Sequence, residues 1–66
     1  MAQGVVKIWN ADKRYGFIDQ AIGDDLFVQF TSLLDGVQTL AVGQMVEFDI
    51  VQGAKGLEAK NVRVIS

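Results

Sequence analysis

Apolar and polar positions alternate most regularly late in the chain, where Val46, Phe48 and Ile50 take turns with Glu47, Asp49 and Val51. Successive strand side chains point to opposite faces, so this run predicts a strand with one buried face. Residues 4–10 hold Val5, Val6, Ile8 and Trp9, a mixture of β-branched and aromatic side chains that also suits a strand. Simple alternation there places Lys7 and Trp9 on one face and Val6 and Ile8 on the other. Asn10-Ala11-Asp12-Lys13 reads as a turn, residues 15–20 as a second strand, and Ile22-Gly23-Asp24-Asp25 as turn chemistry leading to a third strand over 26–30. In these two strands Gly16, Ile18, Leu26 and Val28 fall on one face, and Tyr15, Phe17, Phe27 and Gln29 on the other. Residues 31–34 predict a short helical turn and 35–44 a loop punctuated by Gly36 and Gly43. Gly53-Ala54-Lys55-Gly56 then turns the chain into a last strand over 57–65.

Five short strands, glycine-bearing turns, no long helix and no repeat predict a small all-β, five-stranded antiparallel barrel, because closing the sheet removes edges that would otherwise pair with other chains. With 66 residues, a single domain over 1–66 is expected, of modest stability because so short a chain buries only about 60% of its unfolded surface. The absence of cysteine excludes a disulfide, and the absence of both cysteine and histidine excludes the usual zinc sites. No cofactor is expected. The start lacks a basic segment followed by an apolar run, and no stretch approaches the roughly 20 apolar residues that span a bilayer. The expectation is a cytoplasmic protein without membrane association.

Eight acids against six bases leave a net charge of −2, opposite in sign to the balance of a strong nucleic-acid binder. Binding of a polyanion must then rest on local charge. Lys7, Lys13 and Arg14 lie in or beside the aromatic segments, and Lys55 and Lys60 come from a later turn and strand. Asp35, Glu47, Asp49 and Glu58 fall outside those segments. Aromatic rings on one sheet face beside cations match what a single strand offers, a π-face on every base and a charge on every phosphate. Catalysis is not expected: Asp24-Asp25 is a turn pair without a partner base, a metal-ligand cluster or a phosphate loop.

Lys13-Arg14-Tyr15-Gly16-Phe17-Ile18 resembles the first ribonucleoprotein motif of bacterial cold-shock proteins and the related cold-shock domain, Lys-Gly-Phe/Tyr-Gly-Phe-Ile. Leu26-Phe27-Val28-Gln29-Phe30 resembles the second, Val-Phe-Val-His-Phe. Lys7-Ile8-Trp9-Asn10 stands where the family has Lys-Trp-Phe-Asn, and Thr39-Leu40, Gly43-Gln44, Gly53-Ala54-Lys55-Gly56 and Ala59-Lys60-Asn61-Val62 keep similar spacing. The resemblance covers residues 4–64. It implies an OB-fold barrel that binds single-stranded RNA or DNA with little sequence preference and acts as an RNA chaperone. It further implies base stacking by Tyr15, Phe17 and Phe27, with Phe30 either stacking or packing on the Leu33 turn. Lys7 and Lys13 would contact phosphates, Lys55 and Lys60 would add positive charge, and Asp25 would either accept from a base edge or cap its turn.

Five residues depart from the family pattern. Ile8 replaces the family's main tryptophan, so one stack is expected to be lost, and Trp9 either takes over that contact or serves packing. Gln29 replaces a histidine, which leaves a hydrogen bond at best. Val37 replaces a loop aromatic. Arg14 replaces a glycine; it adds a planar cation and, if the site needs positive φ, backbone strain. Reduced affinity is the expectation. The rival reading is a barrel serving protein interaction or self-association, with exposed Ile8, Val37 and Leu57 as its support. A monomer is expected, with a strand-exchanged dimer open if the connection before Met45 unfolds.

Overall fold

The computed structural model describes residues 1–54 and 56–66. Strands β1 (Ala2–Asn10), β2 (Tyr15–Gln20), β3 (Leu26–Gln29), β4 (Met45–Gly53) and β5 (Gly56–Val64) close into a barrel in the order β1-β2-β3-β5-β4. The β1–β2, β2–β3, β4–β5 and β1–β4 ladders are antiparallel. The closing contact between β3 and β5 is parallel, at Phe27 and Glu58. A 3-10 turn over Phe30–Ser32 follows β3, beginning one residue earlier than the pattern predicts. As a result Phe30 leaves the strand, and its N–H donates to the Arg14 carbonyl at 3.0 Å.

The interior is built from the alternate residues that the pattern assigns to it. Ile18, Leu26, Val28, Val46 and Phe48 are fully buried, joined by Val6 and Val62. Leu40 reaches in from the long connection, which therefore covers one part of the barrel, and Val37 packs against the same core. That connection is tied to β1 by the Val6 N–H donating to the Gln44 carbonyl and the Gly43 N–H donating to the Val6 carbonyl, both at 2.9 Å. Ile50, expected inside with Val46 and Phe48, is 44% exposed. The β1–β4 ladder ends at the Ala2–Phe48 pair, so beyond Phe48 the β4–β5 hairpin projects without β1 to cover it.

Alternation fails in β1, and the cause is a β-bulge. Val6 pairs with Ile18, but Ile8, not Lys7, pairs with Phe17, so Lys7 is the extra residue opposite one partner. Past the bulge the faces exchange: Ile8 turns outward with Phe17, and Trp9 pairs with Gly16 and packs against the core. The face assignment that alternation predicts for Ile8 and Trp9 is thereby reversed. Gly16 is required by this arrangement. A Cβ there would overlap the Ile8 carbonyl oxygen and sit 2.9 Å from Trp9 Cε3.

Candidate nucleic-acid interface

Cross-strand partners of an antiparallel pair share a face, so register defines the outer surface of β1, β2 and β3. Ile8, Phe17, Phe27 and Glu58 form one row across four strands. Asn10, Tyr15 and Gln29 form the next. Three rings meet where the rows adjoin. Tyr15 lies 5.7 Å from Phe27 and 6.4 Å from Phe17, and Phe17 lies 5.8 Å from Phe27, centroid to centroid. These spacings suit tilted and edge-to-face contacts, which hold each ring against its neighbours while leaving part of it uncovered. With Lys13 the three rings line an open hollow of about 500 Å³.

The cations reach this surface through the β1–β2 turn. Asn10 Oδ1 accepts from the N–H groups of Asp12 and Lys13, each at 3.0 Å, and the Arg14 N–H donates to the Asn10 carbonyl at 2.7 Å. Asparagine side chains favour such turns because they imitate a backbone acceptor. Arg14 sits at φ 59°, which meets the condition under which its side chain costs strain; an L-residue pays roughly 1 to 2 kcal/mol there. Its guanidinium carbon lies 5.3 Å from the centre of the Phe30 ring. Lys13, Arg14, Tyr15, Phe27, Gln29 and Phe30 line a second, adjoining hollow of about 250 Å³.

The remaining charges are arranged differently. Lys7 Nζ pairs with Asp25 Oδ2 at 3.0 Å, so Asp25 accepts from a lysine, and the adjacent turn is closed by Gln20 Nε2 donating to the Asp24 carbonyl at 2.9 Å. The hydrogen bond from Lys7 to Asp25, followed by the charges of Asp25 and Asp19, raises the Lys7 pKa above its ordinary value. Arg63 pairs with Asp35 at 3.2 Å, away from the rings. Among the described residues neither Lys13 nor Arg14 has a carboxylate partner. Pairing elsewhere thus leaves Lys13 and Arg14 unneutralised beside the aromatics in a chain of net charge −2. Lys60 is exposed on β5 and lines neither hollow. Lys55 lies outside the described residues.

Of the expected site residues, the structure brings together Ile8, Lys13, Arg14, Tyr15, Phe17, Phe27, Gln29 and Phe30, and it seats Trp9 behind them. The Trp9 Nε1 atom is buried without a hydrogen-bond partner among the described residues. Glu58 is the platform neighbour that sequence reasoning missed, since a parallel contact between distant strands leaves no local signal. A third hollow, of about 360 Å³ at the far end of β1, is lined by Gln3, Val5, Ala21 and Met45 among others and has no aromatic ring. No metal-binding cluster occurs among the described residues, and no helix is long and apolar enough to cross a membrane.

The family model described as 'Cold-shock' DNA-binding domain matches residues 2–65. Cold shock protein CspC of Bacillus subtilis is 50% identical over 64 residues, covering 96% of this chain and 97% of its own. A cold shock-like protein of Aquifex aeolicus is 49% identical over 65 residues, covering 96% and 93%. The solved structure of drosophila Unr CSD456 superposes with a TM-score of 0.80 over 98% of this chain and 26% of that one; at 23% identity the likeness is one of fold.

Proposed function

The chain belongs to the cold-shock DNA-binding domain family, and from that premise we propose that it holds single-stranded RNA or DNA on the outer face of β1–β3 as a cytoplasmic, monomeric RNA chaperone. Nucleic-acid binding is the function of the family. The observation that carries the finer reading is the Tyr15–Phe17–Phe27 cluster with unpaired Lys13 and Arg14 at its edge. Each stacked base contributes roughly 1 to 3 kcal/mol, so three rings suffice for useful affinity. Phosphate contacts add affinity without reading sequence. A strand held open in this way is withdrawn from duplex by mass action, which is all that a chaperone of this kind requires.

Affinity is set below that of a platform with more rings. Ile8 offers an aliphatic surface, Gln29 an amide, and Val37 packs on the core instead of facing a ligand. That placement of Val37 also takes away one of the three exposed aliphatics on which a protein-interaction reading depends. On oligothymidine, two phosphates neutralised by Lys13 and Arg14 give a log–log salt slope of about −1.4. The test is an anisotropy titration of a labelled oligothymidine at two salt concentrations, with wild type, Phe17→Ala and Phe27→Ala. Saturable binding that weakens with salt and with either substitution is expected. Unchanged affinity in both variants would defeat the platform assignment.

A further inference from the structure

Arg14 is fixed more closely than an exposed arginine ordinarily is. Its N–H donates to the Asn10 carbonyl at 2.7 Å, its carbonyl accepts from the Phe30 N–H at 3.0 Å, and its guanidinium lies over the Phe30 ring at 5.3 Å. The ring therefore backs the cation, and the donors of the guanidinium, which have no carboxylate partner among the described residues, remain for a ligand. The hollow they border is also bordered by the Tyr15 and Phe27 rings. A base stacked on either ring brings one edge within reach of Arg14.

The chemistry of that edge decides which base fits. A guanidinium presents parallel N–H donors in a planar fork and has no acceptor. Guanine offers two adjacent acceptors, O6 and N7, and this fork-to-edge match is the commonest specific contact of arginine with a base. Adenine sets a donor beside N7, and thymine and uracil flank each carbonyl with a ring N–H, so neither satisfies both arms of the fork. We propose that Arg14, backed by Phe30, makes the second hollow a guanine-selecting subsite within an otherwise sequence-tolerant platform. The proposal rests on the single-strand reading above, which by itself expects no base preference. The Phe30 contact already narrows the orientations of the Arg14 side chain, so less side-chain freedom is lost when a base docks.

The experiment uses labelled thymidine oligomers of one length that differ only in a single central base: thymine, guanine, adenine or cytosine. A single guanine avoids self-association of the probe. Wild type is expected to bind the guanine oligomer roughly fivefold or more tighter than the all-thymine one. Arg14→Lys keeps the charge but loses the fork, and it is expected to bind the guanine and all-thymine oligomers equally; its melting curve verifies folding. Equal binding of guanine and thymine by wild type would overturn the proposal, as would a guanine preference that survives Arg14→Lys. Cytosine, whose O2 and N3 are also adjacent acceptors, bound as tightly as guanine would overturn guanine selection. Binding without base preference refutes this subsite alone, whereas no binding to any oligomer refutes the single-strand reading and the subsite with it.

Discussion

Replacing Ile8 with tryptophan tests the strand geometry and the binding surface together. Ile8 stands opposite Phe17 on the outer face and is 51% exposed, while Trp9 pairs with Gly16 and packs inward. A ring placed at position 8 would extend the row of Phe17 and Phe27 by one stacking surface. A base–aromatic stack contributes about 1 to 3 kcal/mol, and the isoleucine already offers some apolar contact, so the net gain is about 1 to 2 kcal/mol. That corresponds to roughly 5- to 30-fold tighter binding. Trp9→Phe, in contrast, should leave affinity within about twofold, because the indole packs against the core. The assay is an anisotropy titration of labelled oligothymidine against wild type, Ile8→Trp, Trp9→Phe and the double variant at one salt concentration. In the double variant the sole tryptophan is on the platform, and its fluorescence should be quenched as the site fills. An Ile8→Trp variant that binds no more tightly than wild type, or a Trp9→Phe variant that loses tenfold while melting normally, would show that position 8 does not face the bound strand.

Three further outcomes follow from the same geometry. Gly16→Ala forces a methyl group into the Ile8 carbonyl and the Trp9 ring; with overpacking at about 1 to 3 kcal/mol and about 4 to 8 °C per kcal/mol, thermal melting should fall by at least several degrees. An unchanged midpoint would mean that the bulge is not as described. Arg14→Gly relieves a left-handed residue at about 1 to 2 kcal/mol but gives up an exposed cation–π contact of about 0.5 kcal/mol, so chemical denaturation should show a net gain in stability beside weaker oligonucleotide binding. Lys7 titrates above its ordinary value of 10.5 in the folded protein because of Asp25. A raised folded pKa stabilises fully below 10.5 and ceases to do so as pH climbs through the folded value. The stability advantage of wild type over Asp25→Asn should therefore be constant at neutral pH and vanish in the alkaline range, and melting curves that keep the same separation there would contradict this.

Much of the barrel was legible because local pattern and tertiary burial agree. Val46 and Phe48, Ile18, Leu26 and Val28 occupy the interior that period-two alternation gives them. The same rule places Tyr15, Phe17 and Phe27 together outside, since β2 and β3 pair without a register shift. β1 resisted the rule because one inserted residue, Lys7, exchanges every face beyond it, and Val5-Val6-Lys7-Ile8-Trp9 is apolar at too many positions to mark where the bulge falls. Glu58 was invisible for another reason: it reaches Phe27 through a pairing of strands some thirty positions apart, which no window of sequence contains. Arg14 lay between these cases. The motif marks it as standing in a glycine's place, and the positive φ that a glycine would adopt freely is what the structure shows.

Single-strand binding on the outer face of β1–β3 is tested most directly by an amide chemical-shift map of the protein on addition of a short oligothymidine. Saturable shifts are expected at Ile8, Lys13 to Phe17 and Phe27 to Phe30, with Gln3, Val5, Ala21 and Met45 at the far end of β1 unmoved. Shifts centred on that far hollow, or none at all at low salt, would contradict binding on that face.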